Sequence, residues 1–313
     1  MTAGGGTGEA RVDQFLQVKD EVRSAIDEGR PVVALESTII AHGMPHPENL
    51  RTALRLEELA RDRGVVPATV AVMGGRLRVG LEPAEIEHLA RSREVRKVSR
   101  RDLSPALAAG ATGATTVSAT MAAAHLAGIR VFATGGIGGV HRGGETTFDV
   151  SADLTELSHT PVVVISSGAK AILDLPKTLE VLETLGVPVL GFGTREFPSF
   201  YSRGSGIQLE LTVDSPEEAA SVCRAHRALG LEQGILVANP VPEEHEIPRA
   251  EMEGYLTAAL EQLDRAGVSG GDVTPFLLRR IVELSGGRAL ETNIRLVENN
   301  VALACRIARE LAG

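Results

Sequence analysis

Four short apolar runs end on side chains that can do chemistry. Val33-Ala-Leu-Glu36-Ser-Thr38 runs into a carboxylate, and Val163-Val-Ile-Ser-Ser-Gly-Ala-Lys170 ends on an amine. Val131-Phe-Ala-Thr134-Gly-Gly-Ile-Gly-Gly-Val-His141 passes through glycines to an imidazole, and Leu236-Val-Ala-Asn239-Pro240 stops at an amide. Ligands of open parallel sheets collect at the carboxyl ends of strands, so these four ends are the first places to look for a site. Lys170 there offers an amine that can form a Schiff base with an aldehyde; a solvated lysine in the first turn of a helix is the bland alternative. Glu36 reads either as a proton donor with a raised pKa or as a partner for nearby backbone.

Lysine is scarce. Of 32 basic side chains only Lys19, Lys97, Lys170 and Lys177 are lysines. Where any cation would serve the chain uses arginine, which cannot act as a nucleophile, so a lysine at a strand end carries weight. The run Arg91-Ser-Arg-Glu-Val-Arg-Lys-Val-Ser-Arg-Arg-Asp102 makes a local positive site within an acidic chain, suited to a phosphate ester. Lys97 stands out in it, at the start of a strand-like segment; most of its arginines read as a solvated face. The glycine-rich segment after Thr134 does not fit a dinucleotide fingerprint, because G-x-G-x-x-G from Gly136 needs glycine at His141. It reads as a binding loop whose backbone N–H groups can approach an anion, or as a mobile turn. His42 and His46 are separated by proline, which argues against a zinc pair. Asp149 and Asp153, flanking Ser151, suit a hard ion that keeps waters and a phosphate; capping of a helix near Ser151 is the alternative.

These residues need a scaffold. Strand-like runs are Pro31–Leu35, Thr69–Met73, Leu77–Gly80, Ile129–Ala133, Pro161–Ile165, Val187–Gly191 and Gly234–Ala238. Several are continuously apolar, as parallel strands covered on both faces are. Helical patterns fill the gaps at Glu48–Arg63, Pro83–Ser92, Ser118–Ala127, Ala169–Leu185 and Glu217–Leu229, with three more near Ala250–Ala266, Pro275–Leu284 and Ala289–Leu311. The alternation predicts an α/β protein: a single layered α/β/α domain with a mostly parallel central sheet. Residues 1–30 are expected to form a flexible tail and a leading helix, and 31–313 the catalytic domain.

At 313 residues with 43% apolar and 23% charged side chains, the chain can bury a core. Its net charge of −9 argues against a nucleic-acid partner. With two cysteines, no membrane-length apolar run and no signal-like N-terminus, a cytoplasmic protein without a disulfide framework is expected.

Ten blocks occur in order over roughly residues 31–310: VVALESTIIAHGMPHPEN, VPATVAVMGG, KVSRRDL, GATTVSATM, VFATGGIGGVHRG, TFDVSADL, GAKAILDL, VANPVPE, TPFLL and TNIRLVENN. Together they resemble the pseudouridine-5′-phosphate glycosidase family, also called indigoidine synthase A-like proteins. The resemblance implies reversible cleavage of pseudouridine 5′-phosphate to uracil and ribose 5-phosphate. It implies that Glu36 is the proton donor and that Lys170 is the nucleophile forming an imine with C1′ of the ring-opened ribose. It implies substrate contacts from Lys97, Val117, Ser151, Ala152 and Asp153, with Thr134, His141 and Asn293 also at the site. It further implies one divalent ion per subunit, Mn²⁺, held by Asp149, and a homotrimer with no membrane or nucleic-acid partner.

The chemistry is coherent with those residue types. A C–C glycosidic bond has no leaving oxygen to protonate, so two carboxylates do not suffice. An amine at C1′ gives an iminium that accepts the electrons of the breaking bond once uracil C5 is protonated. The rivals are a Schiff-base aldolase or oxidoreductase on a similar sheet, and a sensor that binds the nucleotide without turning it over.

Overall fold

The computed structural model describes residues 14–268, 270 and 273–312, so the stretch MTAGGGTGEAR, expected as a mobile tail, lies outside the described residues. The strands are β1 (Leu16–Val18), β2 (Val32–Leu35), β3 (Val66–Met73), β4 (Arg76–Val79), β5 (Arg96–Val98), β6 (Gly113–Thr115), β7 (Val131–Ala133), β8 (Val140–His141), β9 (Val163–Ser166), β10 (Leu173–Asp174), β11 (Val189–Phe192), β12 (Leu211–Val213) and β13 (Ile235–Ala238). Among the described residues, eleven of them form one sheet in the order β1-β4-β3-β2-β7-β9-β13-β11-β12, with β6 on β3 and β5 on β6. The pairings are parallel except those of β3 with β4 and with β6. β8 and β10 make a separate two-stranded ribbon.

The expected α/β/α architecture with a mostly parallel sheet is what the chain adopts. β2, β7, β9 and β13 lie side by side at the centre and are buried along their whole length. Residues buried on both faces must be apolar throughout, which is why these strands read as continuous apolar runs. The chain leaves β2 towards β3 but leaves β7 towards β9, so the direction of winding reverses between β2 and β7. Right-handed crossovers then put helices Glu48–Arg61 and Pro216–Ala228 on one face and Val117–Ala127 and Ala152–Leu157 on the other. The long helix Arg288–Ala312 packs against the first pair and over β7, β2 and β9.

Three expectations need correction. The helix expected over Ala169–Leu185 begins only at Leu175, where Asp174 caps it by accepting the Lys177 N–H and Pro176 fits the first turn. Lys170 therefore sits on the loop after β9, not in a helical turn. The leading segment is more than a tail and a helix: Leu16–Val18 pairs with β4 ahead of helix Asp20–Asp27. The three-residue strands β6 and β12 were not foreseen, because three residues are too few to show a period. Cys223 and Cys305 are both buried, and burial pushes both thiols up to about 12, leaving them chemically quiet.

Gly168, between β9 and Lys170, has φ +72°, and a Cβ there would lie 2.1 Å from the Pro198 carbonyl oxygen. Gly168→Ala is expected to cost about 2–4 kcal/mol, read from urea unfolding midpoints. A midpoint unchanged from the parent would contradict this placement of the loop.

Candidate active site

The carboxyl ends of β2, β7 and β9 converge on one cleft of about 400 Å³, whereas Asn239, at the end of β13, does not line it. At β2, Glu36 is set by its neighbours. The Ser37 hydroxyl donates to the Val70 carbonyl at 2.6 Å and accepts the Thr115 N–H at 2.9 Å, while the Thr38 hydroxyl donates to the Thr115 carbonyl at 2.7 Å. The Glu-Ser-Thr segment is thereby tied to β3 and β6, with its carboxylate turned towards β7. There the hydroxyl of buried Thr134 donates to Glu36 Oε1. Thr134 does not line the cleft; it holds the carboxyl that does. Burial pushes the Glu36 carboxyl above the usual carboxylate range, aided by the Asp153 charge and opposed by Lys170, the Thr134 hydrogen bond and Lys97.

Lys170 Nζ donates to the Gly136 carbonyl at 2.6 Å. Among the described residues it makes no ion pair, in contrast to Lys177, which bonds Asp174 and Glu145 at 2.8 Å each, and Lys19, which meets Glu82 at 3.1 Å. The amine is therefore available to a ligand in the cleft. Asp153, buried, uses both oxygens on backbone: Oδ1 accepts the Ser118 N–H at 2.9 Å and Oδ2 the Gly138 N–H at 2.8 Å. It thus joins the start of helix Val117–Ala127 to the glycine loop, where an anion is favoured by the helix dipole. A Cβ on Gly138 would lie 2.2 Å from Ser151 Oγ, so the approach needs glycine. Neither sequence reading of the loop survives whole. It is pinned rather than loose, and the N–H groups of Ile137, Gly138 and Val140 are already given to Gly168, Asp153 and Thr178 instead of to an anion.

Ser151 Oγ accepts the Asp153 N–H at 3.2 Å and caps helix Ala152–Leu157, so the capping alternative holds for Ser151 while it also faces the cleft. Glu36, Lys97, Val117, Ala152, Asp153, His141, Asp149, Lys170 and Asn293 line the same cleft. Burial and the charges of Lys97 and Lys170 push the His141 imidazole below its ordinary value, with Asp149 opposing them. Asn293 is 6% exposed, and among the described residues its Oδ1 has no hydrogen-bond partner. Such an atom calls for a donor from a ligand.

Asp149 stands at the rim, its side chain 55% exposed and its Oδ2 3.9 Å from His141 Nδ1. No group of three His, Cys, Asp or Glu side chains forms among the described residues. That donor set does not make a cage, but it fits a hard divalent ion that keeps several waters and takes the rest of its ligands from a phosphate.

Phe200, with φ +59°, and His42 also line the cleft. Sequence reasoning missed Phe200 because no motif surrounds it, and weighed His42 only as half of a metal pair. His42 Nε2 lies 3.0 Å from the Val95 carbonyl.

Residues 21–310 match the family described as indigoidine synthase A-like protein. The chain is 57% identical over 302 residues to a pseudouridine-5′-phosphate glycosidase of Deinococcus radiodurans, covering 96% of each protein. To that of Caldanaerobacter subterraneus subsp. tengcongensis it is 54% identical over 300 residues, covering 96% of this chain and 98% of the relative. It superposes with a TM-score of 0.89 at 39% identity on the prealnumycin C-glycosynthase AlnA, solved in complex with ribulose 5-phosphate, covering 96% of this chain and 98% of that one.

The raised Glu36 pKa has a stability consequence of definite sign. A carboxyl that holds its proton more tightly when folded stabilises the fold below its unfolded pKa, about 4.3, and that contribution is lost as pH rises through the folded pKa. Glu36→Gln, neutral throughout, is therefore expected to melt above the parent at pH 8, the gap closing towards pH 4. Equal melting temperatures at pH 8 would count against the burial argument.

Proposed function

The chain belongs to the indigoidine synthase A-like family, and we propose that it cleaves the C-glycosidic bond of pseudouridine 5′-phosphate reversibly through an imine between Lys170 and the ring-opened ribose. The activity is the one its relatives carry at 50–57% identity over nearly the full chain. The observation that carries the mechanism is Lys170: an amine in the cleft, held by a carbonyl and by no carboxylate among the described residues, beside a half-buried carboxyl with a raised pKa.

The steps follow from those two groups. Glu36, protonated, gives its proton to the ribose ring oxygen as electrons of the uracil ring expel it, leaving C1′ joined to C5 by a double bond. The free amine of Lys170 adds to C1′ and loses a proton. Protonation of uracil C5, in which Asp153 is the second carboxylate at hand, lets the C1′–C5 bond break as the nitrogen lone pair forms the iminium. Water then releases ribose 5-phosphate and frees the lysine. A sensor would have no need of this pair, and an aldolase would leave the unpartnered Asn293 acceptor unexplained.

The two ends of the substrate meet different chemistry. Phe200 and Asn293 adjoin Gly135 and offer an aromatic surface and an unmet acceptor, matching the uracil face and one of its N–H groups. Lys97 and Ser151 serve the phosphate end with Val117 and Ala152 beside them, and Asp149 would hold Mn²⁺ near His141. When bound, the ion supplies positive charge that neutralises phosphate. The family resemblance adds a homotrimer working in the cytoplasm. No helix among the described residues is long and apolar enough to cross a membrane.

Incubation with Mn²⁺ and pseudouridine 5′-phosphate should release uracil. Borohydride quenching should leave a reduced ribose-phosphate adduct on Lys170 by peptide mass mapping. Lys170→Arg is expected to lower turnover by at least about 10³-fold and to abolish the adduct. Uracil release at the parent rate by Lys170→Arg would sink the imine mechanism.

Asn293→Leu should raise the KM for uracil in the synthetic direction by about 10–100-fold, the cost of losing one buried polar contact to a substrate. Adduct formation from ribose 5-phosphate alone should persist. An unchanged uracil KM would remove Asn293 from the base site.

A further inference from the structure

The TNIRLVENN block contains an amide that the mechanism above does not use. Asn300 lies on helix Arg288–Ala312 and is completely buried, among Leu296, Val297, Val301 and Ala304 on the same apolar stripe. An amide at such a position is costly unless its hydrogen bonds are met. They are met by the carboxyl ends of three adjacent strands. Asn300 Nδ2 donates to the Thr134 carbonyl at 2.8 Å after β7 and approaches the Gly135 carbonyl at 3.3 Å and Ser167 Oγ at 3.1 Å after β9. Its Oδ1 accepts from Asn239 Nδ2 at 2.9 Å after β13. Next to it, Asn299 Nδ2 donates to the Pro240 carbonyl at 3.1 Å.

The backbone that Asn300 grips presents both reactive groups. The hydroxyl of Thr134 holds Glu36, and the carbonyl of Gly136, the next residue after Gly135, holds Lys170 Nζ. A displacement of this three-residue segment moves the proton donor and the nucleophile together. Seven residues earlier on the same helix, two turns away and on the same face, Asn293 points its unmet acceptor into the cleft. We infer that Asn300 is the positioning residue of the active site: it fixes residues 134–136 so that Glu36 and Lys170 stay in mutual register. It also locks the helix carrying Asn293 to the same frame. This rests on the imine reading above for its catalytic consequence, though not for its geometry.

The test pairs Asn300→Leu, which keeps the side-chain size and removes the polar atoms, with Val301→Ala, a buried cavity-forming change on the same helix. If Asn300 positions the reacting groups, Asn300→Leu lowers kcat by about 10²-fold, the scale expected of a misplacement near 1 Å. KM for pseudouridine 5′-phosphate should stay within about threefold, because the phosphate end is built on other elements. Borohydride trapping on Lys170 slows with kcat, whereas Val301→Ala loses melting temperature and keeps kcat. A folded Asn300→Leu with kcat within about threefold of the parent overturns the inference. So does a loss of kcat that Val301→Ala reproduces at equal melting temperature, since the role would then be structural only. If Asn300→Leu does not fold, Asn239→Ser decides: removing the donor to Asn300 Oδ1 should still cut kcat several-fold, and an unchanged kcat overturns the proposal. A parent that releases no uracil would fail the reading above instead. In that case the crystal structure of the folded variant, Asn300→Leu or Asn239→Ser, decides: retention of both the Lys170–Gly136 and Thr134–Glu36 contacts overturns the positioning role, and their loss supports it.

Discussion

A carboxyl group and an amine, Glu36 and Lys170, face one cleft here without forming an ion pair with each other. In the imine reading Glu36 and Lys170 serve as proton donor and nucleophile, roles that a direct ion pair between them would oppose. The structure gives each a different partner. Thr134 takes one oxygen of Glu36, and the Gly136 carbonyl takes the amine of Lys170. The Lys170 charge still acts on Glu36, yet burial outweighs it and leaves the carboxyl with a raised pKa. Both contacts start from residues 134–136, and much of the fold bears on holding that backbone.

The holding is done by the sheet edge. The ends of β2, β7, β9 and β13 are adjacent, and the reversal of winding between β2 and β7 opens the crevice in which ligands of such sheets bind. Buried polar groups brace this edge from both layers. Ser37 and Thr38 tie β2 to β3 and β6, Asp153 ties the glycine loop to helix Val117–Ala127, and Asn300 ties β7, β9 and β13 to helix Arg288–Ala312. Each would be destabilising alone in an apolar interior; fully satisfied, they rigidify the edge. The glycines after Thr134 belong to the same construction. Gly138 is there to let Asp153 and Ser151 close in.

The sequence was informative where chemistry and burial both leave a local mark. The central strands could be read because burial on both faces forces unbroken apolar runs. Glu36 and Lys170 could be read because a carboxylate and a rare lysine end such runs. The order of ten motif blocks added what no single block could: the family, and with it Val117 and Asn293, which line the cleft. β1, β6 and β12 were not legible, since three residues carry no period and owe their pairing to neighbours far away in sequence. The start of the helix after Lys170 was misplaced for a related reason. Ala169 and Lys170 are good helix formers, but Ala169 is bridged to Ile137 and the Lys170 N–H is given to the Ile137 carbonyl instead of to a helical turn.

By itself, then, the sequence determined the fold class and marked the strand ends that bring Glu36, the glycine loop and Lys170 to the cleft, because these follow from composition and from periods of a few residues. Tertiary structure alone decided what those residues do for one another. Thr134 became a holder of Glu36, Asp153 a clamp between loop and helix, Phe200 a wall, and Asn300 a brace for three strands. Such roles depend on contacts across 98, 35 or 166 positions of the chain. No local pattern records them, since the hydrogen bonds that create them exist only once the strands lie side by side.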